Sequence, residues 1–412
     1  MADFLDTDTP DPWDKTVLFK EYIDDLKSKG HYSYHRRITS ACGSRVAISD
    51  EGSDESRRMI VMTSNNYLGL NTRQEVIEAG INAIRKYGSG MCGSRFLSGT
   101  YDLIEDLEAK IAKFEHTEAA QVFTSGYQAN VGTIASLMRS NDVVFIDRLC
   151  HASIIDGCRL GDCEYRTFRH NDVDSLEAAL KRYGSKFKGR MIVVDGIFSM
   201  DGDMAPLDKI CDLAQKYDAK VMVDEAHSTG VVGETGRGTV EHFGVADKVD
   251  IILGTFSKTL SGTGGFIAAS EEIVNYVRHY GRSYMFSASP TPSVIASVTA
   301  ALDIVEKEPE LKSRLWDNIR FMHQHLKAIG YEVYPDPPQS AVITVVIGPD
   351  AKAHAMSKDI YDNGVFSGLV VYPSVSRNEA KIRLSITALH SKSELTRVLE
   401  VLELVGKQYG LI

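Results

Sequence analysis

Val249-Asp250-Ile251-Ile252-Leu253-Gly254-Thr255-Phe256-Ser257-Lys258-Thr259-Leu260-Ser261-Gly262-Thr263-Gly264-Gly265 decides how this chain is read. Val249 to Leu253 is a short apolar run of the kind that makes a buried strand. It opens into a segment of small residues and glycines, where a backbone can pass close to a bound group, and Lys258 lies in that segment. A loop lysine taken alone is a solvated charge. The strand end before Lys258 and three companion stretches set it apart.

Those companions are Asp224-Glu225-Ala226-His227 after the strand-like Lys220 to Val223, His151-Ala152-Ser153 after Val143 to Ile146, and Ser125-Gly126-Tyr127 before a helix-like run. Together they supply an amine, a carboxylate, two imidazoles and a helix N-terminus that can take a phosphate. That is the equipment for holding pyridoxal phosphate. An aldehyde cofactor needs a lysine that forms and releases an imine, and the freed amine can then act as a base, which is the role read for Lys258.

Asp224 suits the pyridine nitrogen, where its charge keeps the ring protonated. His227 can donate to the ring phenolate, and the flat imidazole of His151 suits stacking on the ring. Ser125, Gly126 and Tyr127 offer helix-terminal amides and a cap to phosphate, with hydroxyls added by Thr255 and Ser257. Arg383, in the strand-like Lys381 to Thr387, is costly inside a sheet unless paired, and a substrate carboxylate is a bidentate partner for it. The plain alternatives are a strand-end turn for Asp224, a buried cap for His227, a packed ring for His151 and an internal salt bridge for Arg383.

Other chemistries fit less well. Gly88, Gly90 and Gly93 spell G-x-G-x-x-G, but a helical pattern precedes them where a dinucleotide site needs a strand. They read instead as a loop near a ligand or a neighbouring subunit. The Asp-Glu-Ala-His string has no G-x-x-x-x-G-K loop to accompany it, which argues against a helicase. No close histidine or cysteine pair anchors a zinc set, so no metal is expected.

The chain has 412 residues, 43% hydrophobic and 25% charged, an ordinary globular composition with room for two domains. Its formal charge of -10 gives no general attraction to nucleic acid or anionic lipid. The six cysteines form no Cys-x-x-Cys pair, the acidic start is unlike a leader, and no window approaches the roughly 20 apolar residues of a membrane span. The expectation is a cytoplasmic protein with at most peripheral membrane contact.

Apolar runs at Ala120 to Phe123, Val143 to Ile146, Met191 to Val194, Val221 to Val223, Val249 to Leu253 and Gly265 to Ala268 alternate with helical stretches. Such alternation predicts an α/β fold with a mostly parallel sheet covered on both faces, ligands gathering beyond the carboxyl ends of its strands. The expected organisation is an N-terminal arm and helix over 1–58, with an acidic turn at Asp50 to Glu55, a large cofactor-binding domain over 59–295 starting at the strand Ile60 to Thr63, and a small C-terminal domain over 296–412.

At these residues the chain resembles the alpha-oxoamine synthase family of fold type I pyridoxal-phosphate enzymes, from about Phe19 to Ile412. Asn66-Tyr67-Leu68-Gly69, Gly93-Ser94-Arg95-Phe96, Ser98-Gly99-Thr100, His151-Ala152-Ser153-Ile154, Asp224-Glu225-Ala226-His227-Ser228 and Gly254-Thr255-Phe256-Ser257-Lys258 carry the resemblance. It implies a mostly parallel seven-stranded sheet between helices plus a smaller α/β domain, and a homodimer with shared active sites. Lys258 is then the cofactor-linked lysine, Asp224 the ring-nitrogen partner, His151 the stacking group and His227 the phenolate partner. Arg383 matches the carboxylate-binding arginine, Asn66 a substrate-side residue, and Ser287 and Ser289 the segment lending a hydroxyl to the phosphate across the interface. The implied reaction is a decarboxylating condensation of an L-amino acid with an acyl-CoA.

Within the family, Gly254 to Lys258, Arg282 to Ser289 and Phe198-Ser199-Met200 look most like the serine palmitoyltransferase branch, which joins L-serine to palmitoyl-CoA and makes 3-ketodihydrosphingosine. Tyr372-Pro373 and Gly406 to Gly410 are closer to glycine C-acetyltransferase (2-amino-3-ketobutyrate CoA ligase), while Gly93-Ser94-Arg95 departs from that pattern. Val371 stands where many palmitoyltransferase-like and 8-amino-7-oxononanoate synthase-like chains carry an arginine. A non-catalytic dimeric scaffold is the reading from outside the family.

Overall fold

The computed structural model describes residues 11–32, 34–49, 55–372 and 375–412. The start of the expected N-terminal tail, most of the acidic turn at Asp50 to Glu55, and Pro373 lie outside them. A helix, Asp14–Ser28, precedes three strands, β1 (Arg37–Ile38), β2 (Arg45–Ser49) and β3 (Ser56–Met62).

Seven strands then alternate with helices: β4 (Ala119–Phe123), β5 (Asp142–Asp147), β6 (Glu164–Phe168), β7 (Gly189–Asp195), β8 (Lys220–Asp224), β9 (Ile251–Thr255) and β10 (Gly265–Ala269). They form one sheet in the order β4-β10-β9-β8-β7-β5-β6. Neighbours are parallel except at β10, which runs antiparallel to both β4 and β9. Val143 to Ile146 and Ile192 to Val194 are fully buried, as continuous apolar runs must be when helices cover both faces. Each such side chain contributes about 1.5–3 kcal/mol on burial.

The apolar runs account for six of these strands. β6 does not show in them because Glu164-Tyr165-Arg166-Thr167-Phe168 is largely polar and only partly buried. It is an edge strand pairing with β5 alone, so only part of its surface needs to be apolar.

The second sheet takes up β1 to β3 and, after the long helices Pro292–Lys307 and Pro309–Ala328, adds β11 (Val333–Tyr334), β12 (Val342–Gly348), β13 (Val365–Val370) and β14 (Ala380–Ser385). Both helices begin with proline, which lacks the N–H that a first turn leaves unsatisfied and has φ already set. Here the structure departs from the expected boundary. β3, read as the first strand of the large domain, lies parallel to β13 in the second sheet, with Val365 opposite Ile60. A one-residue-thick reading of apolar runs cannot say which of two sheets a strand joins; a partner some 300 residues further along the chain decides it.

Because β4, β5, β7, β8 and β9 point the same way, Phe123, Asp147, Asp195, Asp224 and Thr255 all finish at one edge of the large sheet. β14 of the second sheet brings Arg383 to the same edge, where it bonds to the loop after β7.

Candidate active site

The site is a row of strand ends, each turned by local chemistry. Asp224 ends β8 and is 5% exposed; its Oδ2 accepts from Asn130 Nδ2 at 2.8 Å and its Oδ1 from the Ala226 N–H at 3.0 Å. The two donors fix the orientation of the buried carboxylate. Asn130 Nδ2 also reaches Ser153 Oγ at 3.0 Å, and Ser153 Oγ lies 2.7 Å from His151 Nδ1. One chain of bonds therefore links Asp224 to His151. His151 caps the helix Ala152–Gly161, remains exposed, and meets the Tyr127 ring edge-on at 6.3 Å.

Lys258 follows β9. Burial pulls its ammonium down to about 8, against the opposing charges of Asp224 and Asp195. Among the described residues its Nζ makes no hydrogen bond or ion pair, so the amine is available for chemistry. His227 is 8% exposed with Nδ1 2.7 Å from the Tyr67 hydroxyl. Burial first, then the charges of Lys258, Arg383 and His151, hold its pKa well below the usual imidazole range, so the ring is neutral. Burial pushes the Tyr67 phenol up to about 12 and keeps it protonated. The neutral ring carries one proton, on Nε2 when Nδ1 accepts the Tyr67 hydroxyl and on Nδ1 when that hydroxyl donates instead to Asn65 Oδ1 at 3.3 Å.

Ser125 caps the helix Gly126–Leu137, its hydroxyl accepting the Gln128 N–H at 3.1 Å. The Gly126 and Tyr127 N–H groups have no partner among the described residues. This helix end is pressed against the sheet: a Cβ on Gly265 would lie 2.6 Å from Gly126 Cα, and one on Gly126 would lie 3.2 Å from Thr255 Cβ. The close approach leaves Thr255 and Ser257, whose hydroxyls are 2.8 Å apart, beside the free amides. An anion cradle, an unbonded amine, a buried carboxylate and a neutral imidazole form a donor set that fits pyridoxal phosphate.

Arg383, 9% exposed on β14, donates from Nε to the Ser199 carbonyl at 2.7 Å, from Nη1 to Ser385 Oγ at 2.8 Å and from Nη2 to Asn65 Oδ1 at 3.1 Å. Every one of these acceptors is neutral. The internal salt bridge weighed for Arg383 is absent among the described residues, leaving a buried cation without a counter-charge.

Other expected residues lie differently. Asn66 spends its amide on Asn71 Oδ1 at 2.6 Å and accepts from Ser261 Oγ at 3.3 Å. It is Asn65 whose Oδ1 faces the Arg383 guanidinium and the Tyr67 hydroxyl. Ser287 Oγ accepts from Gln128 Nε2 of its own chain at 3.3 Å, and Ser289 donates its N–H to the Gly93 carbonyl at 2.9 Å. Phe286, next to Ser287 in the chain, is exposed, as is Leu97 on the loop whose Ser94 bridges to Ala288. Sequence reasoning assigned no role to Asp195, Asn130 or Tyr67. Asp195 had a signal, since it follows Met191 to Val194 as Asp224 follows Val221 to Val223.

The large mixed sheet, the lysine after β9 and the acid ending β8 define a fold type I transferase. The chain belongs to the class I and II aminotransferase family, whose model matches residues 57–402, and within it to the alpha-oxoamine synthases. It is 42% identical over 386 residues to a serine palmitoyltransferase of Sphingobacterium spiritivorum, covering 94% of each chain. An 8-amino-7-oxononanoate synthase of Thermoanaerobacter pseudethanolicus is 38% identical over 395 residues, covering 96% of this chain and 98% of that one. A solved SPT structure with PLP as its internal aldimine superposes with a TM-score of 0.93 at 33% identity, covering 98% of this chain and 100% of that one. Among the described residues no helix is long and apolar enough to cross a membrane.

Proposed function

We propose that this chain is a pyridoxal-phosphate acyltransferase that condenses an L-amino acid with an acyl-CoA, releasing CoA and carbon dioxide, with L-serine and palmitoyl-CoA as the preferred pair. The observation that carries the reading is the placement of a buried, charge-unbalanced Arg383 at the strand-end edge that also holds Lys258, Asp224 and His227. When bound, pyridoxal phosphate supplies the electron sink for the carbanion.

The residues divide the remaining work. Ser125, the Gly126 and Tyr127 amides, Thr255 and Ser257 hold the phosphate, and Asp224, steadied by Asn130, holds a proton on the ring nitrogen. His227 would donate to the ring oxygen, and His151 would cover the ring face. Arg383 takes the amino acid's carboxylate in place of solvent, with Asn65 beside it. Lys258, kept short of full protonation by burial, takes and returns the proton at the α carbon. Ser287 and Ser289, with the exposed Phe286 next to Ser287 in the chain, support a homodimer whose active sites are shared.

The relative at 42% identity favours serine and a long acyl chain. The 8-amino-7-oxononanoate synthase at 38% keeps a second reading open, with a different amino acid and thioester. Absorbance changes on adding L-serine, L-alanine, glycine or L-threonine, followed by CoA release from palmitoyl-, pimeloyl- and acetyl-CoA, separate the two. Serine with palmitoyl-CoA is the expected best pair. No spectral response to any amino acid would sink the reading, and a biological activity that survives Lys258→Ala would favour a scaffold.

A further inference from the structure

His170 has no part in the roles above, yet it touches both halves of the site. Its Nδ1 lies 3.0 Å from Asp147 Oδ1 and its Nε2 2.8 Å from Asp203 Oδ2. A carboxylate oxygen on each ring nitrogen calls for a proton on each, since a bare nitrogen facing either would be repelled. Burial alone would favour the neutral ring, but the two carboxylates outweigh it and raise the pKa to about 9. Phe198 stands edge-on to the ring at 4.4 Å.

Each carboxylate shapes one side of the site. Asp147 ends β5 at 1% exposure; its Oδ1 accepts the Leu149 N–H at 2.9 Å and its carbonyl the Cys150 N–H at 3.0 Å, which sets the turn into His151. Asp203, 3% exposed, closes the loop whose Ser199 carbonyl receives Arg383 Nε. The second sheet grips the same loop. Lys381 pairs with Asp201, the Tyr334 hydroxyl donates to Asp203 Oδ2 at 2.8 Å, and Ser340 Oγ donates to the Gly202 carbonyl at 2.7 Å. Gly202 has φ of +80°, and a Cβ there would sit 2.4 Å from the Val342 carbonyl oxygen, so the contact admits no side chain.

We propose that His170 is a positioning residue: by donating to Asp147 and Asp203 at once, it ties the turn that presents His151 to the loop that aims Arg383. The amino acid's carboxylate and the ring-covering face are thereby held in one register. This rests on the reading of Arg383 as the carboxylate clamp.

His170→Gln keeps the polarity but loses the charge and replaces the second donating nitrogen with an acceptor oxygen. Amino-acid affinity, read from the cofactor's absorbance without acyl-CoA, is expected to fall about tenfold for L-serine and less than twofold for its methyl ester, which lacks the carboxylate charge. In an Arg383→Lys background the added His170→Gln change is expected to cost less than twofold, because its route of action is already cut. Lys381→Met, which frees the other end of the loop, should show the same preference for weakening the acid. Equal weakening of acid and ester, additive loss with Arg383→Lys, or parental affinity in both variants overturns the inference. His170, Asp201 and Asp203 also bring three possible ligand atoms within 4.8 Å. A stoichiometric metal found in the purified protein and lost in His170→Gln would overturn it too. A parent enzyme silent to every amino acid overturns the functional reading and this inference with it; a responsive parent with an unselective variant overturns this inference alone.

Discussion

Asp195 and Asp224 stand in register at the carboxyl ends of β7 and β8, two buried acids on neighbouring strands facing one lysine. Burial first, then the Asp224 charge, pushes Asp195 well above the usual carboxylate range, although the His151 N–H donates to its Oδ1 at 3.2 Å. Like charges that close oppose each other's ionisation in a dry site, and Asp195 is the one whose protonated form its surroundings favour.

The two acids should therefore tolerate the same substitution very differently. Asp195→Asn mimics the protonated form and is expected to keep kcat/KM within about threefold near neutral pH, whereas Asp224→Asn removes the ring-nitrogen charge and should cost at least about 100-fold. Rates from pH 6 to 9 check this, and an Asp195→Asn loss as large as that of Asp224→Asn would contradict it.

Lys258 makes a stability prediction for the cofactor-free protein. Its folded pKa, about 8, lies below its ordinary value of 10.5, so the unfolded chain binds more protons between these values and stability rises with pH there. Below about 8 the full cost of burying the ammonium is present. Lys258→Met should stabilise the cofactor-free protein at pH 7 by about 1–3 kcal/mol, with the advantage shrinking as the pH is raised through the window. Denaturant melts at pH 7 and pH 10 measure the difference.

Arg383 places three of its five donors on neutral acceptors and so retains both charge and free N–H groups for a ligand. Arg383→Lys loses the planar fork and is expected to weaken amino-acid binding by about 30-fold or more, an effect of about 2 kcal/mol, with a smaller change in kcat. Steady-state kinetics at saturating acyl-CoA would show it. A fall in kcat at unchanged KM would assign the residue elsewhere.

Remote from the chemistry, Arg95 and Glu108 form a bidentate pair at 2.7 and 3.0 Å with side chains 5% and 8% exposed, and Glu108 also accepts the Val122 N–H of β4 at 2.9 Å. Removing one partner strands a buried charge. Glu108→Ala is expected to cost about 3–5 kcal/mol of stability, whereas exposed pairs such as Lys20 with Asp24 contribute under about 1 kcal/mol. Equilibrium unfolding of Glu108→Ala and Asp24→Ala tests the contrast.

His170 adds a pH signature to stability. Its pKa is raised from 6.5 to about 9 between Asp147 and Asp203, with Tyr334, Asp201 and Lys381 as the nearby titratable groups. The stabilisation is complete below about 6.5 and is lost as the pH climbs through about 9. A difference in melting temperature between the parent and His170→Gln should accordingly narrow from pH 6 to pH 10.

Much of the fold was legible because burial on both faces leaves a mark in one dimension. The runs at Val143 to Ile146 and Met191 to Val194 could only be interior strands, and the polar residue ending each fell where parallel strands release their ligands-to-be. β6 escaped because an edge strand has no such requirement, and the Asn65 contact with Arg383 escaped because adjacent loop residues point in directions that only packing assigns.

The amino-acid order alone determined the strand-and-helix alternation and the chemical types at the strand ends, since apolar period and local turn chemistry act over a few residues. Tertiary structure alone decided which sheet β3 joins, that Asp195 shares the edge with Asp224, and that Arg383 finds only neutral acceptors. Those are contacts between segments far apart in the chain, where the energy of burying a charge depends on neighbours that no local pattern encodes.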